Sequence, residues 1–449
     1  MALLALAAFH GRIWLRARRF GGPRLGGPAP RPWRLGSLVP IFRAGLLDFY
    51  RAEALRAKDD FLVWAGTVPH FVAVQPETVV QVLSEREDFA RRAEPTRHLF
   101  GGGVLRLEGE PWKERRAALM PAFRRGALDG VAGIAREEGA ALVEEWRARG
   151  AEPFSPARDV SFRMLRILGR FLFGFSFDRD RHGGRPLHGA LITLSVGTVV
   201  RHLLPGWALA LRGARAEQAA EAWMVELAKE VLRDGGPTPF LDALRDGMRR
   251  GVMDERTALD EIRTFLVAGH ETSASALLWT LALLAEHPQV QARLHAEVAA
   301  AGPLDSAAAV GALRYTAQVL QESMRLYPPV PLSISRATRD VRVGERRIPG
   351  GTRVDVASYV IHRDPRWWPD PDRFDPDRFG EGAAPRPGTW LPFLLGGHTC
   401  MGMRFALLEL PLVLAAVVSA FHVAAARPAR VDLRLSLHPA GLRLALAPR

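Results

Sequence analysis

Cysteine, lysine and most metal or nucleotide motifs are scarce in this sequence. One cysteine among 449 residues excludes a disulfide framework and any site built from several thiolates. Three lysines stand beside 58 arginines, and the formal net charge is +13. The arginines are interleaved with acids, and zinc-finger, basic-zipper and aromatic RNA-binding signatures are missing, so we expect no nucleic-acid partner. No P-loop or HExxH motif is present, and the glycines at 101–103 indicate loop flexibility.

The N-terminus lacks a segment long enough to cross a membrane. Its apolar stretch, residues 1–9, is far shorter than the roughly 20 residues that a spanning helix needs. The arginines follow this stretch, whereas a secretory signal carries its positive charge first. We therefore expect a cytoplasmic protein, with an N-terminal arm over 1–30 that contacts a membrane at most peripherally.

The patterning of the sequence predicts a mainly α protein with a minor β portion, folded as one domain over 31–449. Helical patterning dominates from residue 77, and no internal repeat or linker divides the chain. The predicted helices that matter most cover 254–286, 315–327 and the segment from Met403. The predicted β segments are 61–66, 71–74 and 340–361, with Pro69 separating the first two.

The single cysteine, Cys400, lies in the stretch FLLGGHTCMG at 393–402, just before an apolar helix. The glycines of this stretch let the backbone curl around the thiol, and a helix N-terminus stabilises a thiolate. These features suit a permanently deprotonated metal ligand. Two other interpretations stay open from the residues alone: a buried cysteine that acts as a small hydrophobe, and a lone nucleophile.

The pentapeptide AGHET, at 268–272, lies inside the predicted long helix. A glycine there costs about 1 kcal/mol relative to alanine, so we expect Gly269, beside the small Ala268, to leave room for a ligand. Thr272 lies one turn after Ala268 and can hydrogen-bond its carbonyl. Glu271 is an acid in an otherwise apolar part of the helix. The alternative is a crossing of helices at small residues, with Glu271 solvated.

Two further pairs have helical spacing. Glu322 and Arg325 share a helix face at i,i+3 and can form an ion pair. Trp112 and Arg116, at i,i+4, present an indole N–H and a guanidinium fork on one face. Taken alone, each pair fits an ordinary amphipathic helix equally well.

Together these segments resemble the cytochrome P-450 superfamily, the haem-thiolate monooxygenases, over about residues 30–449. The pattern F-x-x-G-x-H-x-C-x-G at 393–402 is similar to the family's haem-binding loop, and the other segments occur in the family's order. The resemblance implies a cytochrome P-450 fold of the bacterial soluble type, with haem b between the long central helix and the cysteine loop. It also implies that Cys400 is the axial ligand of the iron, donating electron density that favours O–O cleavage.

The resemblance assigns a role to each remaining segment. In the family, AGHET forms the oxygen-binding groove, where Thr272 and Glu271 deliver protons to dioxygen beside Ala268 and Gly269. The residues similar to the family's haem-binding positions are Trp112, Arg116, Arg336, Phe393, His398, Cys400 and Gly402. Many members carry arginine in place of His398, and the spacing from Arg336 to Asp340 is one residue shorter than usual.

A buried charge network is implied as well. Glu322 and Arg325 resemble two members of a structural triad of the family, and Arg378, in the stretch PDRF at 376–379, resembles the third. A network of this kind must be fully paired, or it destabilises the fold. Its implied role is to hold the cysteine loop.

We therefore expect a monooxygenase that inserts one atom of dioxygen into a hydrophobic small molecule. Hydroxylation or epoxidation of a fatty-acid, terpenoid, steroid or polyketide-like substrate would fit. Two alternatives stay open: a haem-thiolate peroxygenase or isomerase, and a non-enzymatic haem sensor. The first tends to lack the acid–alcohol pair that Glu271 and Thr272 form, and the second would need an attached effector domain.

Substrate and electron carrier are expected to bind at different places. Substrate contacts are expected from the family's most variable segments, which here are 85–110, 175–210, 329–335 and 436–443. No flavin reductase is fused in this sequence, so we expect electrons from a separate ferredoxin or flavodoxin with its NAD(P)H reductase. The basic candidates for contacting that acidic carrier are Lys113, Arg115, Arg124, Arg125 and Arg404.

Overall fold

The structure of this protein is a computed structural model. It describes residues 2–21, 25–28, 36–85, 87–91, 96–150, 152–183, 185–203 and 215–449. The predicted boundary between an arm over 1–30 and a domain over 31–449 falls on residues outside these ranges, so it stays a prediction. Part of the predicted substrate segment 175–210 lies outside them as well.

Helices form most of the described chain, which confirms the predicted fold class. The α-helices are α1 Ala2–Ala17, α2 Leu38–Ala44, α3 Leu46–Ala57, α4 Pro76–Ser84, α5 Arg97–Phe100, α6 Gly109–Leu119, α7 Val131–Ala148, α8 Ala157–Leu168, α9 Arg185–Leu203, α10 Arg215–Asp234, α11 Pro239–Arg249, α12 Glu255–Glu286, α13 Pro288–Ala300, α14 Ala307–Gly311, α15 Arg314–Leu326, α16 Ser358–Ile361 and α17 Met403–Ala420. The three helices singled out from the sequence are confirmed as α12, α15 and α17.

The β portion consists of short strands. They are β1 Phe61–Ala65, β2 Val68–Ala73, β3 Phe89–Arg91, β4 Ser333–Ala337, β5 Val341–Val343, β6 Arg346–Ile348, β7 Arg353–Val356, β8 Phe421–Arg427, β9 Arg430–Leu433, β10 Leu437–Ala440 and β11 Arg443–Pro448. One expectation was wrong, because Pro69 lies inside β2, opposite Trp64. The strand tolerates it because the ladder between β2 and β7 begins only at His70, so the proline need not donate to that neighbour.

The chain forms two compact units. The first consists of Met1–Arg92, Val330–Arg373 and Ala384–Cys400, and the second of Ala93–Pro329, Phe374–Ala383 and Met401–Arg449. The first unit contains a five-stranded sheet in the order β1-β2-β7-β4-β3, in which only β2 and β7 run parallel. The second contains the antiparallel pairs β9–β10 and β8–β11.

Helix α12 forms the core of the second unit. The carboxylate of Asp254 caps its start by accepting the Thr257 amide at 2.8 Å, and the helix ends where Pro288 begins α13. Its length lets three successive turns contact strand β10, as described below. In the described part of the chain, one helix, α17, is long and apolar enough to cross a membrane, and 56% of that segment is buried inside the protein.

Candidate active site

The cysteine loop is fixed by its own backbone. The amide of Cys400 donates to the Phe393 carbonyl at 2.9 Å, which closes the loop. Leu394 and Gly396 have φ of +57° and +68°, the left-handed region that glycine adopts without strain. A side chain at Gly396 would place its Cβ 2.6 Å from the Leu83 carbonyl oxygen, so the loop lies directly on α4. The thiol is therefore presented from a rigid loop, and the cysteine is exposed.

The AGHET segment forms the one opening in a buried stretch of α12. Every residue from 258 to 284, all of which the structure describes, is buried except Ala268, Gly269 and Thr272, which are half-buried. The Thr272 hydroxyl donates to the Ala268 carbonyl at 2.8 Å, as the spacing predicts. This helix therefore presents a small surface with a hydroxyl group in its middle.

A glycine occupies position 269 for a different structural reason from the one expected. A Cβ at this position would lie 2.6 Å from a methyl carbon of Leu168, so the missing side chain lets α8 pack against α12. We expected room for a ligand at Gly269, but a close crossing of two helices fills that space. The predicted alternative, a small-residue crossing, is thus present at Gly269, while Ala268 and Thr272 remain half-buried.

Glu271 is not a solvated acid. Its side chain is 11% exposed, and its Oε1 atom lies 2.5 Å from Nε2 of His438. The hydroxyl of Ser436 donates to the same oxygen at 3.3 Å. No sequence signal marked these partners beyond their place in the variable segment 436–443, because β10 lies far from α12 along the chain.

The structure brings two other predicted residues together on α6. The guanidinium of Arg116 lies 5.5 Å from the ring centre of Trp112, so the two side chains share a face as predicted. Arg336 lies in the first unit. It is exposed on β4, and it donates to the Gly351 carbonyl at 3.3 Å. His398 is half-buried in a short 3-10 helix, Gly396–His398, just before Cys400.

The charge network forms in the second unit. Arg325 donates from Nε and Nη2 to the two oxygens of Glu322, at 2.6 and 2.8 Å. Arg378 lies 3.4 Å from Glu322, and the Asp375 amide donates to it at 2.9 Å. Burial raises the pKa of Glu322, and these positive and N–H partners oppose that shift. The three residues predicted as a triad are thus in contact.

Comparison with known proteins decides the family. The sequence model of the cytochrome P-450 family matches residues 27–444. The chain belongs to the cytochrome P-450 family. As members of this family bind haem through a cysteine thiolate and the chain has one cysteine, Cys400 ligates the haem iron of this P-450.

Individual relatives agree with this assignment. Cyclooctatin synthase of Streptomyces melanosporofaciens is 30% identical over 86% of this chain and 87% of that protein. Cyclooctat-9-en-7-ol 5-monooxygenase of the same organism is 29% identical over 87% and 90%. Cytokinin hydroxylase of Arabidopsis thaliana is 29% identical over 84% and 78%. The protein is therefore a P-450 monooxygenase.

The residues present fit a haem. A single thiol on a loop closed by its own backbone suits one axial ligand, and the paired Trp112 and Arg116 offer N–H donors for a carboxylate. In the described part of the chain, no group of three or more His, Cys, Asp or Glu side chains could hold a metal ion by itself. The cysteine loop therefore supplies the ligand of the haem iron in this P-450.

Sequence reasoning missed a second buried acid, Glu409. It lies on α17, fully buried, and the Ser273 hydroxyl donates to its Oε1 atom. Its Oε2 atom has no hydrogen-bond partner among the described residues, and burial raises its pKa well above the usual range, so this acid is neutral. A lone acid in the apolar run after Cys400 was the available signal.

The glycines at 101–103 also have a role that their interpretation as a flexible loop missed. The Gly102 amide donates to Asp260 at 2.7 Å, and a Cβ at Gly101 would lie 1.9 Å from the same carboxylate. The Val104 amide donates at 3.0 Å to Glu261, which Arg115 also contacts at 2.7 Å. This segment is therefore held tightly on α12, and burial raises the pKa of Glu261 to about 7.

Proposed function

We propose that this P-450 hydroxylates or epoxidises a hydrophobic small molecule, with terpenoids as the first class to test. Two relatives are named for cyclooctatin and cyclooctat-9-en-7-ol chemistry, and their similarity extends over most of both chains. Fatty acids, steroids and polyketide-like molecules are the other classes in the proposal. Substrate contacts are assigned to 85–110, 175–210, 329–335 and 436–443.

The proposed roles of the site residues follow from their contacts. Bound haem supplies the activation of dioxygen, with its iron ligated by Cys400. Arg116, Trp112, Arg336 and His398 would hold the propionates. Phe393 and Gly402 shape the cysteine loop, since the Phe393 carbonyl accepts the Cys400 amide and Gly402 precedes α17. Glu322, Arg325 and Arg378 stabilise the fold of the second unit.

The observation that carries the monooxygenase proposal is that an acid and an alcohol occupy adjacent positions of α12. Thr272 is half-buried, with its hydroxyl donating to Ala268 at 2.8 Å, so that oxygen can accept a proton from one side and pass its own onward. Glu271 is the adjacent proton carrier. A peroxygenase or isomerase needs no such pair, so its presence supports chemistry that consumes dioxygen and protons.

We also propose that the protein is of the bacterial soluble type, cytoplasmic, and reduced by a separate ferredoxin or flavodoxin with its NAD(P)H reductase. The two Streptomyces relatives support the first point. Arg124, Arg125 and Arg404 are exposed and support a docking surface for an acidic carrier. Lys113 is exposed too and pairs with Glu110.

Arg115 is less suited to docking. Its side chain is 17% exposed, and it pairs with the buried Glu261 at 2.7 Å. We therefore leave this residue out of the proposed docking surface.

The proposal is tested by one spectrum and one screen. The reduced, carbon monoxide-treated protein is expected to show the red-shifted Soret band of a thiolate-ligated haem, and Cys400→Ser to lose it, because a hydroxyl donates far less charge to iron. Purified enzyme is then titrated with cyclooctat-9-en-7-ol, a fatty acid and a steroid, and the haem spin shift is recorded. Oxygen-dependent product from any of them supports the function. Product that forms with peroxide but never with dioxygen and electrons contradicts it.

A further inference from the structure

Glu271 is held on one side by a histidine that the assigned function does not use. The Nε2 atom of His438 lies 2.5 Å from Oε1 of Glu271, and the Ser436 hydroxyl lies 3.0 Å from the same nitrogen. When Glu271 is ionised it only accepts hydrogen bonds, so Nε2 of His438 then carries the hydrogen of this contact. Both side chains are nearly buried, at 13% and 11% exposure, and such a charge-assisted bond is strong there.

The other carboxylate oxygen faces a different kind of partner. Nε2 of His270 lies 4.0 Å from Oε2 of Glu271. Nδ1 of His270 contacts the Leu266 carbonyl, which can only accept, so the hydrogen of this ring lies on Nδ1. Complete burial lowers the pKa of His270, which keeps the ring neutral with a lone pair on Nε2. Glu271 thus lies between a proton donor and a proton acceptor.

The strand that carries His438 has further contacts with α12. The carbonyl of Leu437 accepts the Ser275 hydroxyl at 2.5 Å and the Trp279 indole N–H at 2.9 Å. Glu271, Ser275 and Trp279 occupy successive turns of α12, so one stripe of this helix holds strand β10 in place. These contacts hold the backbone next to His438 beside α12, in addition to the side-chain contact between His438 and Glu271.

We infer that His438, assisted by Ser436, is a positioning residue that orients the carboxylate of Glu271 and supplies it with protons. The imidazole takes a proton from water at Nδ1 and gives the Nε2 proton to Oε1, and Glu271 passes one proton towards Thr272. The ring then returns its Nδ1 proton to water and takes another at Nε2, which restores the starting tautomer. One proton enters for each that leaves, and no electron moves. The inference rests on the proposed proton-carrying role of Glu271.

Other titratable groups of the described chain lie near this imidazole. Glu271 and His270 approach it from α12. Asp432, on β9, lies opposite His438 in the strand register and forms an ion pair with Arg434 at 2.8 Å. Any pH dependence of the relay is therefore interpreted with Glu271, His270 and Asp432 as the titratable neighbours of His438.

The first experiment tests the contact without using activity. Haem-loaded wild type, Glu271→Gln, His438→Ala and the double variant are melted under the same conditions. We expect the double variant to melt no lower than the worse single variant, because both changes remove the same bond. Melting-point losses that add would overturn the contact. His295→Ala, in α13, serves as the histidine control.

The second experiment separates proton supply from simple support. His438→Gln keeps an N–H donor for Glu271 but cannot relay a proton. The enzyme is run with NADPH, a plant-type ferredoxin and its reductase, and cyclooctat-9-en-7-ol as the probe. We expect a roughly tenfold rise in peroxide released per NADPH, and the ratio is recorded at several pH values.

The outcomes separate this inference from the function on which it rests. If Glu271→Gln releases no more peroxide than wild type, the proposed role of Glu271 fails. If Glu271→Gln leaks peroxide but His438→Gln matches wild type at every pH, only the relay fails, and His438 merely supports the fold. The reduced carbon monoxide band is recorded for each variant, and its loss would show damage to the haem site.

Discussion

The guanidinium of Arg325 forms two parallel hydrogen bonds, at 2.6 and 2.8 Å, with the carboxylate of Glu322, and neither side chain has any exposed surface. Arg378 and the Asp375 amide complete the coordination of that carboxylate. A fully paired arrangement of this kind is stable, whereas an isolated buried charge is very unfavourable. The family motif therefore acts as an all-or-none structural unit in this chain.

Glu322→Gln is expected to destabilise the protein by about 3–5 kcal/mol, because it removes the buried negative charge that Arg325 and the mostly buried Arg378 both contact. Soluble yield, haem content and melting temperature measure the effect. Glu144→Gln is the matched control, since Glu144 pairs with Arg147 at the same i,i+3 spacing but is 69% exposed. It should melt like wild type. Full haem content and wild-type melting in Glu322→Gln would refute a structural role for the network.

Thr272→Ala is expected to bind haem and substrate normally but to divert reducing equivalents into peroxide. The physical reason is loss of the hydroxyl that passes protons at the half-buried opening of α12. Thr280→Ala provides a close control, because Thr280 makes the same bond to the carbonyl one turn before it, also at 2.8 Å, within a buried region. Peroxide released per NADPH is the measurement. Equal peroxide from the two variants would remove Thr272 from proton delivery.

Glu261 is expected to make stability depend on pH. Its folded-state pKa, about 7, exceeds the usual value of 4.5, so its contribution is fully present below about pH 4.5 and is lost as the pH rises through about 7. The full difference corresponds to roughly 3 kcal/mol. Glu261→Gln should therefore gain stability relative to wild type between about pH 5 and pH 8.

Melting temperatures of variant and wild type across that range provide the check. Glu110→Gln, which changes an acid that is 72% exposed on α6, should differ from wild type by the same amount at every pH. A flat difference for Glu261→Gln as well would show that Arg115 keeps Glu261 ionised throughout.

Charge reversal of Arg124 and Arg125 together is expected to raise the apparent KM for an acidic ferredoxin and leave the substrate-induced spin shift unchanged. Reduction by the same carrier should slow as ionic strength rises from about 0.01 to 0.15 M, because the screening length falls from roughly 30 to 8 Å. Reversal of Arg249 and Arg250, another exposed adjacent pair, is the charge-matched control. A reduction rate that ignores both salt and the first reversal would contradict docking at this surface.

The sequence alone determined the helical fold class, the long helix, the thiolate ligand and the pairs with short spacing. Glu322 with Arg325, Trp112 with Arg116, and Ala268 with Thr272 all meet as predicted. The reason is local geometry, since residues three or four apart share a helix face whatever surrounds the helix.

Tertiary structure alone decided what those residues contact across the fold. Sequence spacing does not show which segments meet when more than a hundred residues separate them. The contacts of His438 with Glu271 and of Glu409 with Ser273 therefore had no local signal. Packing likewise explains why residue 269 is a glycine, because a side chain there would collide with a methyl group of Leu168. Burial then gave two glutamates different states. Glu409, which among the described residues accepts a hydrogen bond only from the Ser273 hydroxyl, is neutral, whereas Glu322 is paired with arginines. Desolvation and nearby charge act on a carboxyl group only after the chain has folded.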